Sequence, residues 1–269
     1  METTDRRRQA AEVIVTAALG LLLCMATYAI EYIPLRFPFD IVLIRLALSA
    51  LFVLYLSKIR LLSLLEFSPK NFGHGLACSA AFLLFSAWVL ALNLLSVWSD
   101  LSWQVVELFC QMLMVGALEE LIFRGGLLNT MIRAGRQTTS GLYAAAALSS
   151  LVFALCHYMN LVYTPFLETT VQVYNAFCLG LLFCAVYLRC KNLWVCVSLH
   201  TLWNFANAVG LLAPDPEPGS DIIAEQAAVS MTAWNFLFQL IEPTLFLLLA
   251  LFVMRRVGVK ADNEKEQPV

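Results

Sequence analysis

Residues 171–212 read VQVYNAFCLGLLFCAVYLRCKNLWVCVSLHTLWNFANAVGLL, two long apolar runs separated by a short turn that carries Arg189 and Lys191. A run of about 20 mostly apolar residues is what a helix needs to cross about 30 Å of hydrocarbon. Working outward from this pair, windows of the same kind lie near 11–30, 39–57, 76–97, 104–131, 141–163, 171–188, 193–212 and 232–254. The expected fold is all-α, a polytopic membrane protein with about eight transmembrane helices. Composition agrees: 61% of the residues are hydrophobic and 13% charged, with a mean hydropathy of +0.77, whereas about a quarter of a soluble domain is charged.

The placement of charge orients these windows. Lys and Arg collect in cytoplasmic loops, and an even number of helices puts both termini on one side. Taking that side as cytoplasmic gathers Arg6, Arg7 and Arg8, then Lys58, Arg60 and Lys70, then Arg124, Arg133 and Arg136, then Arg189 and Lys191, and finally Arg255, Arg256, Lys260 and Lys265. Arg36 and Arg45 disagree. The opposite loops hold Asp100, Glu168, Asp215, Glu217, Asp221 and Glu225, the last four in a stretch marked as a loop by Pro214, Pro216, Pro218 and Gly219. The chain therefore divides into a cytoplasmic segment 1–10, a transmembrane domain 11–260 and a polar cytoplasmic tail 261–269. With 17 basic and 19 acidic residues, and no concentrated basic face, no nucleic-acid partner is expected. The eight cysteines form no C-x-x-C pair, so neither a disulfide framework nor a Cys-based zinc site is expected.

An ionisable group inside a membrane helix costs at least a few kcal/mol, so each one asks for a function. Glu107 sits near an outer helix end where it can snorkel. Glu242 precedes Pro243 and reads as part of a kink, Arg45 reads as the structural partner of a carboxylate, and His74 sits in a loop. Glu119 and Glu120 are different. Adjacent helical residues point about 100° apart, so the two carboxylates take different partners. Arg124, four residues after Glu120, is placed to pair with it, which leaves Glu119 available to exchange a proton. His157 and His200 also fall in apolar spans, and Asn204 shares a helical face with His200. At 1.5 Å of rise per residue, Glu119 and His200 lie at compatible depths, whereas His157 comes out deeper. The fifth helix must start late, tilt or break if the three are to meet.

This set suits hydrolysis of an amide without a nucleophilic Ser or Cys. Glu119 would activate water, His157 would help to hold it, and His200 and Asn204 would donate to the oxyanion. A divalent metal such as zinc is the alternative activator, with Glu119, His157 and His200 as its candidate ligands. The H-E-x-x-H arrangement is absent.

The segments EELIFRG at 119–125, FALCH at 153–157 and HTLWN at 200–204 resemble, in order, the E-E-x-x-x-R, F-x-x-x-H and H-x-x-x-N motifs of the CAAX-processing and bacteriocin-processing family of intramembrane proteases, also called Abi or type II CAAX prenyl endopeptidase-like. The resemblance covers a core of residues 104–212. It implies an eight-helix intramembrane endopeptidase with Glu119, His157, His200 and Asn204 as catalytic residues and Glu120 and Arg124 in support. Its substrate would be a membrane-associated peptide or protein, either CAAX-like or a bacteriocin or peptide precursor, and short loops favour a bacterial plasma-membrane member. The depth of His200 and the basic cytoplasmic loops suggest access from the cytoplasm. The rival readings are a proton- or ion-coupled transporter, for which inverted repeats are missing, and a non-catalytic membrane scaffold involved in bacteriocin immunity.

Overall fold

The computed structural model describes residues 2–30, 39–98, 102–135, 138–212 and 233–263, and these are helices joined by short turns, with no strand among them. Ten α-helices follow in order: α1 Glu2–Ile30, α2 Asp40–Lys58, α3 Pro69–Cys78, α4 Ala80–Ser96, α5 Trp103–Glu120, α6 Asn129–Ala134, α7 Thr139–Cys156, α8 Phe166–Cys190, α9 Leu193–Ala208 and α10 Ala233–Asn263. Short polar residues set several of the starts. The side chains of Ser68, Ser102, Thr138 and Asn192 each accept a backbone N–H at the head of α3, α5, α7 and α9, which satisfies donors that a helix cannot satisfy itself.

Among the described residues, five helices are long and apolar enough to cross a membrane: Thr4–Ile30, Asp40–Lys58, Thr139–Val162, Phe166–Cys190 and Leu193–Leu212. The pair α3 and α4, bent by 77° at Ser79, makes a sixth if the two form one span. Eight were expected. The fourth window, 104–131, is helical from Trp103 to Ala134, but Glu119, Glu120 and Arg124 in its middle keep it from qualifying on apolar composition. The first helix begins at Glu2 rather than near residue 11, and the last runs to Asn263, into the expected tail. The rest of that tail, and the proline-marked acidic loop, lie outside the described residues.

The centre of the molecule is α8 with α9. More than half of the membrane-length window of each is buried inside the protein, against 22% to 39% for the other three spans. From Leu182 to Leu188 every side chain of α8 is buried, as a helix surrounded on all faces requires. All eight cysteines are free thiols, six of them buried, where they pack as small apolar groups. The α8–α9 turn is tight, with Lys191 left-handed at φ 51°. The Asn192 amide donates to the Ser68 carbonyl, tying this turn to the start of α3.

Candidate active site

The site begins with a change of helical pitch. After Glu120 the rod continues as a π-helical segment, Leu121–Leu128, before α6. A π turn widens the hydrogen-bonding spacing and leaves carbonyls poorly served. Side chains serve them here. The Ser149 hydroxyl donates to the Phe123 carbonyl at 3.0 Å, the Asn129 amide donates to the Arg124 carbonyl at 2.5 Å, and the Thr130 hydroxyl lies 3.0 Å from the Gly126 carbonyl.

Glu120 and Arg124 form the expected ion pair, with Arg124 Nη1 donating to Glu120 Oε1 at 2.7 Å and both side chains fully buried. Arg124 Nη2 also donates to the Gly180 carbonyl at 3.2 Å. Its guanidinium lies against the rings of Phe153 and Phe183, 4.8 and 5.4 Å from their centroids. A buried charge needs this degree of pairing and contact to be tolerated.

The same Glu120 oxygen holds the next member of the site. His200 Nδ1 donates to Glu120 Oε1 at 2.8 Å, and its Nε2 faces Glu119 Oε2 at 3.4 Å. With Nδ1–H committed to Glu120, a bare Nε2 lone pair would meet a carboxylate of the same sign. A proton between such a pair makes the contact a charge-assisted hydrogen bond. The approach that allows it is made by Gly116, one turn before Glu120. A Cβ there would stand 2.9 Å from Thr201 Oγ1 and 3.2 Å from the Thr201 backbone nitrogen, so glycine lets α5 and α9 touch beside the two glutamates.

His157 stands at the C-terminal end of α7, where the helical pitch changes. α7 ends at Cys156, and the chain tightens into a 3-10 segment, His157–Val162. His157 Nδ1 donates to the Phe153 carbonyl at 3.1 Å, leaving Nε2 as the acceptor in the neutral ring. The Phe153 ring meets His157 and His200 edge-on, at centroid distances of 5.0 and 5.9 Å. His157 lies within electrostatic reach of both Glu119 and His200.

These groups divide two cavities. The larger, about 550 Å³, is lined by His157, His200 and Asn204 together with Glu168, Gln172 and Asn175. Asn204 makes no hydrogen bond to the other site residues among the described residues, and it faces this cavity one turn after His200. Glu119 is not on that wall. It lines a smaller cavity of about 230 Å³ with Arg45 and Asn160. Met112 belongs to both walls, and the Asn160 amide, donating to Gln172 Oε1 at 2.7 Å, ties one wall to the other. The large cavity runs out to Leu211, Gln239 and Glu168, at the helix ends that the charge pattern puts away from the cytoplasm rather than on the side from which access was expected.

Residues 101–206 match the family model described as type II CAAX prenyl endopeptidase Rce1-like. The chain carries an Rce1-like domain. The match spans less than half of the 269 residues, from just before α5 to the end of the buried part of α9, and encloses all six site residues. No curated protein and no solved structure matched the chain. That family is one of CAAX-type proteases, and the match together with the apolar helices supports an integral, multi-pass membrane protein.

Among the described residues, no three His, Cys, Asp or Glu side chains of the Rce1-like domain or its surroundings group closely enough to hold a metal ion. Glu119, His157 and His200 are among those residues and do not converge as such a group.

Several site residues carried no signal in the sequence reading. Phe153, Phe183, Gly116 and Gly180 are apolar residues among many, and Asn160 and Gln172 become part of the site only because the chain breaks after α7. Two of the other buried acids have local duties. Glu107 accepts the Phe39 backbone N–H at 3.3 Å. Glu242 lies beside Asn175 of the cavity wall, next to Pro243 in the chain.

Proposed function

We propose that this protein is an intramembrane endopeptidase that hydrolyses a peptide bond of a membrane-associated substrate with a glutamate-activated water. The observation that carries the reading is the placement of His200, with Nδ1–H held by the Glu120–Arg124 pair and Nε2 against Glu119. In the charge-separated form Glu119 is a carboxylate and His200 an imidazolium. Glu119 takes a proton from water, and His157 Nε2 accepts the water's second hydrogen bond and fixes its direction. The hydroxide attacks the scissile carbonyl. His200 Nε2–H and the Asn204 amide then donate to the oxyanion, in a site dry enough to make both interactions strong. Collapse of the tetrahedral intermediate returns the proton through Glu119 to the leaving amine. No step of this scheme needs a metal.

The substrate lies extended in the large cavity. A peptide bond that leaves its helix inside a membrane needs new hydrogen-bond partners, and the side-chain amides of Gln172, Asn175, Asn204 and Asn207 offer both donors and acceptors. The family's description supports a CAAX-like prenylated peptide as substrate, and a bacteriocin or other peptide precursor suits the same groove. The topology that agrees with the charge pattern has eight crossings, counting 104–131 and the last helix, with both termini cytoplasmic. Short loops suit a bacterial plasma membrane.

The test uses purified protein in liposomes with membrane peptides as substrates. Wild type is expected to cleave them and Glu119→Ala to lose cleavage by about 10³-fold, within the range for a general base. Retained cleavage in Glu119→Ala would remove Glu119 from its role. Proton or solute flux without any cleavage by the wild type would favour a transporter.

A further inference from the structure

A third cavity, of about 220 Å³, lies at the other end of α8 from Glu168 and is walled by α3, α8 and α10. Its polar lining is basic. Arg189 from the last turn of α8, Arg256 from α10 and His74, which lies in α3 rather than in a loop, all face it, and no acid does among the described residues. The two arginines are drawn together, with Arg189 Nη1 donating to the Arg256 backbone carbonyl at 3.4 Å. Neither meets a carboxylate among the described residues. Their own helices offer none at pairing distance either: four residues from Arg256 stand Phe252 and Lys260, and four before Arg189 stands Ala185. Two cations that converge on one small cavity repel unless an anion lies between them. The rest of the wall includes Phe252 and Val253. These sit one helical turn, or about 6 Å, deeper along α10 than Arg256, and the Arg256 guanidinium lies over the Phe252 ring at 4.9 Å.

We propose that this cavity binds the phosphate of an anionic phospholipid from the leaflet on that side of the membrane. Arg189 is the penultimate residue of a membrane-length helix, and Arg256 follows the apolar run of the last helix by two residues. Both guanidinium groups therefore stand where hydrocarbon gives way to headgroups, which is where basic pockets between membrane helices take anionic lipids. The planar fork of each arginine matches phosphate oxygens in a bidentate way, and the His74 ring stands on the same wall. The acyl chains start along Phe252 and Val253, one turn further in. Phe252 is 54% exposed, and a free phosphate would satisfy the arginines but leave that ring uncovered. The bound lipid joins α3 and α10 to the end of α8, the helix whose Gly180 carbonyl holds Arg124. None of this depends on the peptidase reading.

The cavity carries its own reporter. Cys78 is on its wall, with Sγ 3.7 Å from His74 Nε2, and Cys110 is the one other cysteine that is not buried. The experiment follows alkylation of Cys78 by a maleimide on the full chain in an uncharged detergent, in a Cys110→Ser background. Dioctanoyl phosphatidylglycerol is expected to slow alkylation roughly tenfold, and dioctanoyl phosphatidylcholine or inorganic phosphate at the same concentration less than about twofold. Arg189→Gln combined with Arg256→Gln should abolish the protection, with the lipid-free alkylation rate and the unfolding midpoint close to those of the parent protein. Equal rates with and without phosphatidylglycerol in the parent protein overturn the proposal, whether or not the variants fold. Protection by phosphatidylcholine as strong as by phosphatidylglycerol also overturns it, because the cavity would then be an apolar groove indifferent to charge. Equal protection by inorganic phosphate overturns the lipid assignment in favour of a free anion. Protection that survives the loss of both arginines removes them from the site and overturns it as well.

Discussion

Glu119 and Glu120 are neighbours in the chain and stand in opposite surroundings. Behind the site, Glu120, Arg124 and the rings of Phe153 and Phe183 form a dry cluster in which charges are paired and stacked. In front of it, Glu119, His157 and Asn204 look into cavities, and the Glu119 side chain keeps 21% of its surface accessible. One helical step separates a carboxylate that can only hold from one that can react. The difference shows how the protein tolerates a reactive acid in a membrane: a second acid, already neutralised, fixes the histidine that the first one needs.

The comparison breaks most severely if the dry side is opened. Arg124→Ala leaves Glu120 buried without its main partner, and breaking such a pair costs about 3–5 kcal/mol. The expected result is a large fall in the unfolding midpoint in detergent together with loss of activity. The front side behaves in the opposite way. Glu119→Gln is expected to lower kcat by about 10³-fold with an unfolding midpoint close to wild type, and a midpoint shift as large as that of Arg124→Ala would erase the distinction between the two glutamates. Asn204→Ala should lower kcat by about 10²-fold at unchanged KM, because an oxyanion donor acts only in the transition state. A comparable rise in KM would make Asn204 a substrate-binding residue instead. Gly116→Ala sharpens the comparison by separating its halves. The added methyl meets Thr201, and overpacking of this kind costs about 1–3 kcal/mol, so a modest loss of stability should accompany a lower kcat as His200 is moved off Glu119. The smallest effect is expected from a chelator. With metal content measured alongside, activity should change less than about twofold, since Glu119, His157 and His200 do not form a ligand set; a loss restored by zinc would reverse that assignment.

What the sequence made legible follows from how local the cause is. The apolar windows and the Glu120–Arg124 pair depend on composition and on i,i+4 spacing; five of the eight windows, or six with the bent pair, appear as membrane-length helices among the described residues, and the pair is formed. Depth asked the fifth helix to start late, tilt or break, and the change to 3-10 pitch at His157 could not be located, because nothing in ALCHYMN disfavours an ordinary helix. The same holds for the π segment. Its extra carbonyls are served by Ser149 and Asn129, one on a different helix and one on the turn that follows, so the pitch change is a tertiary property with no local signature. Arg45 read as a structural ion-pair residue because its helix shows no motif, and the small cavity into which it projects exists only once α1, α2 and α5 are assembled.

The π segment has one more consequence. Its wider turn amounts to a single residue inserted into an otherwise regular rod, and the two ends of that rod are therefore out of phase. Upstream, Gly116 and the glutamates are aimed at α9; downstream, Gly126 is aimed at Phe52 and Thr16 of the outer helices. The peripheral helices can thus drift in sequence and re-pack on the downstream end without rotating the reactive face. Removing one residue anywhere between Leu121 and Leu128 would couple the two ends again and turn one of them away from its partner.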